Sequence, residues 1–153
     1  MSAATERLAA LGLTLPPVAT PVAAYVPAVR TGNYVYTSGQ LPIVDGKLQG
    51  TGKVGDSVTV EEAAGHARTA ALNALAAAAS EAGGLDAIKR VVKVVVFVSS
   101  ATDFTGQAQV ANGASQLLID VLGDVGKHAR SAVGMAVLPL DTPVEVEIVV
   151  EVA

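Results

Sequence analysis

The sequence contains no cysteine and no tryptophan, and only 3% of its residues are aromatic. Without cysteine there is no disulfide frame, no thiolate nucleophile and no cysteine zinc site. Two histidines, His66 and His128, stand too far apart in the chain for a HExxH-type pair, so no transition-metal site is expected. Basic clusters are also missing. With a net charge of −4 and a pI near 5.0, the chain lacks the electrostatic footprint that nucleic-acid binding requires, and no nucleic-acid partner is expected. No run of 18 uncharged apolar residues occurs. The alanine-rich stretch 63–82 is interrupted by His66, Arg68, Asn73 and Glu81, which argues against a membrane span. The start, Met1 to Leu15, places Glu6 and Arg7 inside its apolar run, unlike a secretory signal, and a cytoplasmic protein is expected.

What is abundant is small and branched aliphatic residues. The 153 residues are 51% hydrophobic, with a mean hydropathy of +0.49. That length reads as one domain, residues 1–153, able to bury about 68–70% of its unfolded surface. Val, Ala and Leu supply the apolar bulk, which suits a sheet covered on both faces, and the excess points to a homo-oligomer.

Along the chain, Ser2 to Gly12 reads as a short helix with Ser2 as its cap, and Leu15-Pro16-Pro17 with Pro21 forces an extended arm. Residues 1–20 thus form an N-terminal helix and arm. Tyr25–Val29 and Tyr34–Pro42 read as strands around a turn at Thr31-Gly32-Asn33, and Asp45-Gly46 as a tight hairpin turn. Thr59-Val-Glu-Glu62 is a capping box, and it predicts a long helix from Val60 to Ala82, closed by Gly83-Gly84. Its inner face is Ala63, Ala67, Ala70, Ala71, Ala74, Leu75 and Ala78. Val91–Val98 is nearly all apolar and β-branched, hence an interior strand. A second long helix, about Ala108 to Leu122, turns Val110, Ala114, Leu117, Leu118 and Val121 inward. The C-terminal third, from His128, reads as two strands forming a hairpin about a turn bracketed by Pro139 and Pro143. The order β-β-α-β-α-β-β predicts an α+β fold with two helices on one face of a mixed sheet, leaving the other face apolar and free to meet other subunits.

Few residues are equipped for chemistry. Thr37-Ser38-Gly39 lacks the first glycine of a nucleophile elbow and a neighbouring histidine base. Gly50, Gly52 and Gly55 have no Lys-Ser/Thr at phosphate-loop spacing and read as a flexible loop. Arg130 stands alone where a loop meets an apolar strand. It fits either a surface charge paired with an acid or an anchor for a carboxylate or phosphate. Glu145 and Glu147 share one strand face, continued by Glu151, and pattern does not separate a solvated face from a water-activating pair. His128 could titrate near neutrality, although a loop histidine is more often simply exposed.

Tyr25, Gly32-Asn33, Tyr36-Thr-Ser-Gly-Gln-Leu-Pro42, the Val91–Val98 strand, Ala129-Arg130-Ser131, Leu138-Pro139 and Val144-Glu-Val-Glu147 together resemble the RidA (YjgF) family, also called L-PSP endoribonucleases. The match spans about residues 20 to 152. The resemblance implies a chorismate-mutase-like α+β fold and a homotrimer whose sheets face the trimer core, with clefts between subunits. It also implies hydrolytic deamination of reactive 2-imino and enamine acids to 2-oxo acids and ammonia, without metal or cofactor. Arg130 would hold the substrate carboxylate, Glu145 rather than Glu147 would orient the attacking water, Tyr25 would close the pocket, and Ser38 and Gly39 would form its wall. Burial would raise the pKa of Glu145 and Arg130 would lower it. The alternatives are a trimeric small-carboxylate-binding protein without turnover and, third, an endoribonuclease. Two departures from the family pattern mark a divergent subgroup. Ala132 replaces a frequent cysteine, and His128 replaces the proline usual two residues before the arginine. A third position is ambiguous, with Asn112 and Ser115 both eligible for the pocket asparagine.

Overall fold

The computed structural model describes residues 3–153. Seven strands and three α-helices follow in the order α1 (Ala4–Ala10), β1 (Ala28–Thr31), β2 (Tyr34–Thr37), β3 (Ile43–Val44), β4 (Lys47–Leu48), α2 (Val60–Ala82), β5 (Ile88–Ser99), α3 (Gln107–Leu122), β6 (Ala129–Met135) and β7 (Val144–Val152). Five strands make one mixed sheet in the order β1-β2-β7-β5-β6, and β3 and β4 form a separate hairpin about Asp45-Gly46. Only β5 and β6 run parallel, joined through α3. The expected Ser2 cap lies outside the described residues.

Local sequence accounts for the helices. Thr59 accepts the Glu62 amide while the Glu62 carboxylate takes the Thr59 amide, satisfying two orphan donors at the start of α2. Gly83 ends the helix in the left-handed region, where a Cβ would cost energy. The expected inner faces of α2 and α3 are fully buried on the sheet against Val91, Val94, Val96, Val98, Val146 and Ile148. Helix α1 packs on α3. Its Thr5 hydroxyl donates to Asp86 and its Arg7 Nε donates to the Val121 carbonyl.

The small residues set how closely α2 and α3 approach. A Cβ at Gly113 would run into the carbonyl oxygen of Ala64, 2.7 Å from its carbon, and backbone cannot swing aside. Gly113→Ala is therefore expected to destabilise the fold by roughly 2 kcal/mol, overpacking outweighing about 1 kcal/mol of helix propensity. That corresponds to a melting temperature lower by roughly 4–8 °C. Gly65, exposed on α2 with open space around it, is the control. Its alanine variant should melt higher, and equal shifts in both variants would contradict the packing argument.

The C-terminal strands depart from expectation. β6 and β7 are not a hairpin. β7 lies antiparallel between β2 and β5, and β6 lies parallel on the other edge of β5. Residues 138–143 carry the chain across the end of β5, where the Ser99 amide donates to the Pro143 carbonyl. Leu140 and Asp141 take positive φ angles of 58° to make that passage. The physical reason is burial. Val144, Val146, Ile148, Val150 and Val152 are all buried beneath the helices, an environment an edge strand lacks, whereas β6 is largely exposed.

Opposite the helices the sheet is uncovered. Val29 and Tyr36 are about half exposed there (52% and 51%), and Val133 and Met135 are exposed beside Phe97.

Candidate functional site

Arg130 is placed by the parallel pairing of β6 with β5. It stands level with Val94, which is buried beneath the helices, so its side chain rises on the helix face and reaches α3. Nη1 donates to Asn112 Oδ1 at 2.8 Å and to Ser115 Oγ at 3.1 Å, and Nη2 makes a longer contact with the Ala108 carbonyl at 3.4 Å. Asn112 and Ser115, three apart on a helix, share a face, so both eligible residues meet the arginine. Among the described residues the ion pairs are Arg68–Asp120 and Lys127–Asp124, and no carboxylate pairs with Arg130. With both Nη1 hydrogens engaged, the edge formed by Nε–H and Nη2–H remains, a fork that fits a carboxylate.

His128 joins this group. Its Nδ1 lies 2.6 Å from the Gly126 carbonyl, which can only accept, so Nδ1 carries the proton. In the neutral ring Nε2 is then bare and accepts from the Ser115 hydroxyl at 2.9 Å. No local pattern signals this contact, because His128 and Ser115 are brought together only when α3 packs beside β6.

Glu145 lies elsewhere. It stands level with Phe97 on the uncovered face, and Glu147 follows on the same face opposite Val95. Residues 37–39 bulge toward it. Between the Tyr36–Val149 and Gln40–Val146 pairs, β2 carries one residue more than β7, and the Thr37 hydroxyl fills the gap by accepting the Ile148 amide at 3.0 Å. This brings Gly39 against the Glu145 carboxylate so closely that a Cβ would stand 2.7 Å from Cδ and 2.9 Å from Cγ, and closer still to Oε1. Ser38 donates its hydroxyl to the Val26 carbonyl at 2.6 Å and its amide to that of Pro27. Its hydroxyl thus ties down the segment carrying Tyr25, whose ring is 58% exposed.

Burial, and secondly the charge of Glu147, push the Glu145 carboxyl up from its ordinary value. Arg130, on the opposite face, does not offset them. A raised folded-state pKa means that the fold favours the neutral acid. That stability is present below the ordinary glutamate value, about 4.3, and is lost as pH rises through the raised pKa. Glu145→Gln, a neutral isostere, should therefore melt higher than the wild type at pH 7–8, with the gap closing toward pH 4. A constant gap across that range would overturn the burial argument.

The sequence-predicted residues thus form two groups within one chain. Ser38, Gly39 and Glu145 lie together near the start of β7, with Tyr25 in the adjoining segment that Ser38 holds, and Arg130 lies across the sheet with Asn112, Ser115 and His128. Two surface cavities, of about 560 and 490 Å³, are lined by neither Arg130 nor Glu145. The larger sits at the other end of β7, between Tyr34, Arg90, His128 and Glu151.

Residues 5–152 match the family model described as "YjgF/chorismate mutase-like, putative endoribonuclease". The chain is 46% identical to Protein TCP17 of Trypanosoma cruzi over 153 residues, covering 97% of this chain and 96% of that protein. The crystal structure of Atu1372, a protein of unknown function from Agrobacterium tumefaciens, is 46% identical with a TM-score of 0.90, covering 98% and 92% of the two chains. TdcF of E. coli, solved with bound serine, is 25% identical with a TM-score of 0.64, covering 89% and 94%.

Proposed function

Because this chain belongs to the YjgF/chorismate mutase-like family, we propose that it hydrolyses reactive 2-imino and enamine acids to 2-oxo acids and ammonia in a cleft between copies of itself. The observation that carries this reading is Arg130, a guanidinium braced by Asn112 and Ser115, unpaired with any described carboxylate and left with one donor edge. A small carboxylate is the ligand that edge fits. Serine in TdcF also carries an α-carboxylate.

Arg130 holds the carboxylate, and Glu145 takes a proton from water as its oxygen attacks the iminium carbon. The product is a neutral carbinolamine. Glu145 then returns that proton to the nitrogen, and the C–N bond breaks as the hydroxyl proton passes to the carboxylate, so that ammonia leaves and the carbonyl oxygen comes from the water. The iminium carbon is already electrophilic, so orientation is the main task. A carboxyl whose pKa is raised by burial gives up its proton less readily than a free one, which suits a group that must both take and return a proton. Tyr25 closes the cleft, and Ser38 and Gly39 form its wall.

Arg130 and Glu145 project from opposite faces, so one ligand meets both only where two copies join. In this reading three copies assemble with their uncovered, partly apolar sheet faces inward. The test generates 2-iminobutyrate with an amino-acid oxidase and follows its decay, with the assembly sized in parallel. Faster decay in the presence of a trimer supports the proposal, whereas unchanged decay overturns hydrolysis. Arg130-dependent binding of serine or 2-oxobutyrate without any turnover would favour the second reading, a carboxylate-binding protein.

A further inference from the structure

His128, which the resemblance places where proline is usual, and Ser115, one of the two residues eligible for the pocket position, are connected in space. We propose that His128 and Ser115 form a positioning relay that locks the Arg130 guanidinium and thereby selects planar carboxylates presented to its Nε/Nη2 edge. The inference rests on the carboxylate site described above, and it adds what holds that site in shape.

The Gly126 carbonyl fixes the proton of the neutral His128 ring on Nδ1, so Nε2 is an acceptor. The Ser115 hydroxyl hydrogen points at that nitrogen over 2.9 Å, and the hydroxyl lone pairs face the other way. Arg130 Nη1 donates into them over 3.1 Å, and its second hydrogen goes to Asn112 Oδ1 over 2.8 Å. If His128 did not accept, the serine hydroxyl would be free to turn, and Arg130 would lose one of the two Nη1 bonds that stop rotation of its guanidinium, keeping Asn112 and the longer Nη2 contact with the Ala108 carbonyl. A histidine at this position supplies both contacts, one to Gly126 and one to Ser115. Proline, which has no polar side-chain atom, supplies neither. The neighbouring Lys127 is occupied with Asp124, so it does not compete for the serine. An arginine held by Ser115 and Asn112 loses less entropy when a carboxylate binds, which lowers KM without changing the chemical step.

The test has two parts. The first is free of ligand: ¹⁵N NMR of the Arg130 guanidinium, reading rotation about the Nε–Cζ bond. The wild type is expected to show distinct Nη1 and Nη2 signals, and His128→Phe and Ser115→Ala to exchange them at least about tenfold faster. His128→Gln, whose amide oxygen can accept from Ser115, is expected to restore slow exchange. Equal rotation in the wild type and both disrupting variants overturns the relay, as does His128→Gln behaving like His128→Phe. The second part is kinetic. The disrupting variants should raise KM for 2-iminobutyrate about tenfold with kcat changed less than twofold, and His128→Gln should bring KM back within threefold. A fall in kcat with KM unmoved would mark a general structural role and overturn the assignment. If the NMR result holds and the wild-type protein hydrolyses no imine, the proposed function fails and the relay stands.

Discussion

Replacing Arg130 with alanine is expected to lower kcat/KM for 2-imino acids by roughly 10²–10⁴-fold while leaving the fold nearly as stable as before. The magnitude follows from two charge-assisted hydrogen bonds to the substrate carboxylate, each worth about 1.5–3 kcal/mol, where 1.4 kcal/mol is a factor of ten. Stability changes little because the acceptors left behind, Asn112 and Ser115, are exposed and partly exposed, and water can replace the arginine. Arg130→Lys should recover only a small part of the loss. An ammonium is a point charge without the planar fork that a carboxylate matches, and it cannot at once reach both Asn112 and Ser115 with the same geometry. Steady-state kinetics with oxidase-generated imines, alongside thermal melts, checks both statements. Retained activity in Arg130→Ala would return this residue to an ordinary surface charge.

Gly39→Ala should reduce kcat by about 10²-fold, the lower part of the range for losing a positioned acid–base group, with KM changed only a few-fold. The added methyl occupies space now held by the Glu145 carboxylate. The colliding atoms are the far end of a flexible side chain, so Glu145 turns away and the backbone stays in place. The melting temperature should therefore remain within a few degrees of the wild type, unlike that of Gly113→Ala, where the obstacle is a helix backbone. A Gly39→Ala protein with wild-type kcat would show that the present position of Glu145 does not matter to the reaction. Such a result would favour the binding-only reading.

Much of the architecture was legible in the residues. The capping box at Thr59 and the paired glycines after Ala82 set both ends of α2, because these signals act within a few residues of one another. The buried faces of α2 and α3 followed from helical spacing, and the interior position of β5 followed from its unbroken β-branched run. The family was legible too, since separated motifs from Tyr25 to Glu147 kept their order, and the family match covers residues 5–152.

The partners of the strands were not legible. Two adjacent strands with a short, proline-bracketed connection resemble a hairpin locally, and alternation along Val144–Val152 says which face is buried but not which neighbours it has. Competition for cover decided that. β7 buries five aliphatic side chains only in the middle of the sheet, so it inserts between β2 and β5 and leaves β6 at the edge. The same insertion decided the site. Arg130 and Glu145 are close in the chain, yet the register of β6 and β7 on the two sides of β5 sends them to opposite faces. The helices, the apolar faces, the family motifs and the residue types available for chemistry rest on short-range pattern and can be read from the chain alone. That Arg130 is braced through Ser115 and His128, that Gly39 crowds Glu145, and that the two groups stand apart depend instead on which strand and helix edges come to lie side by side.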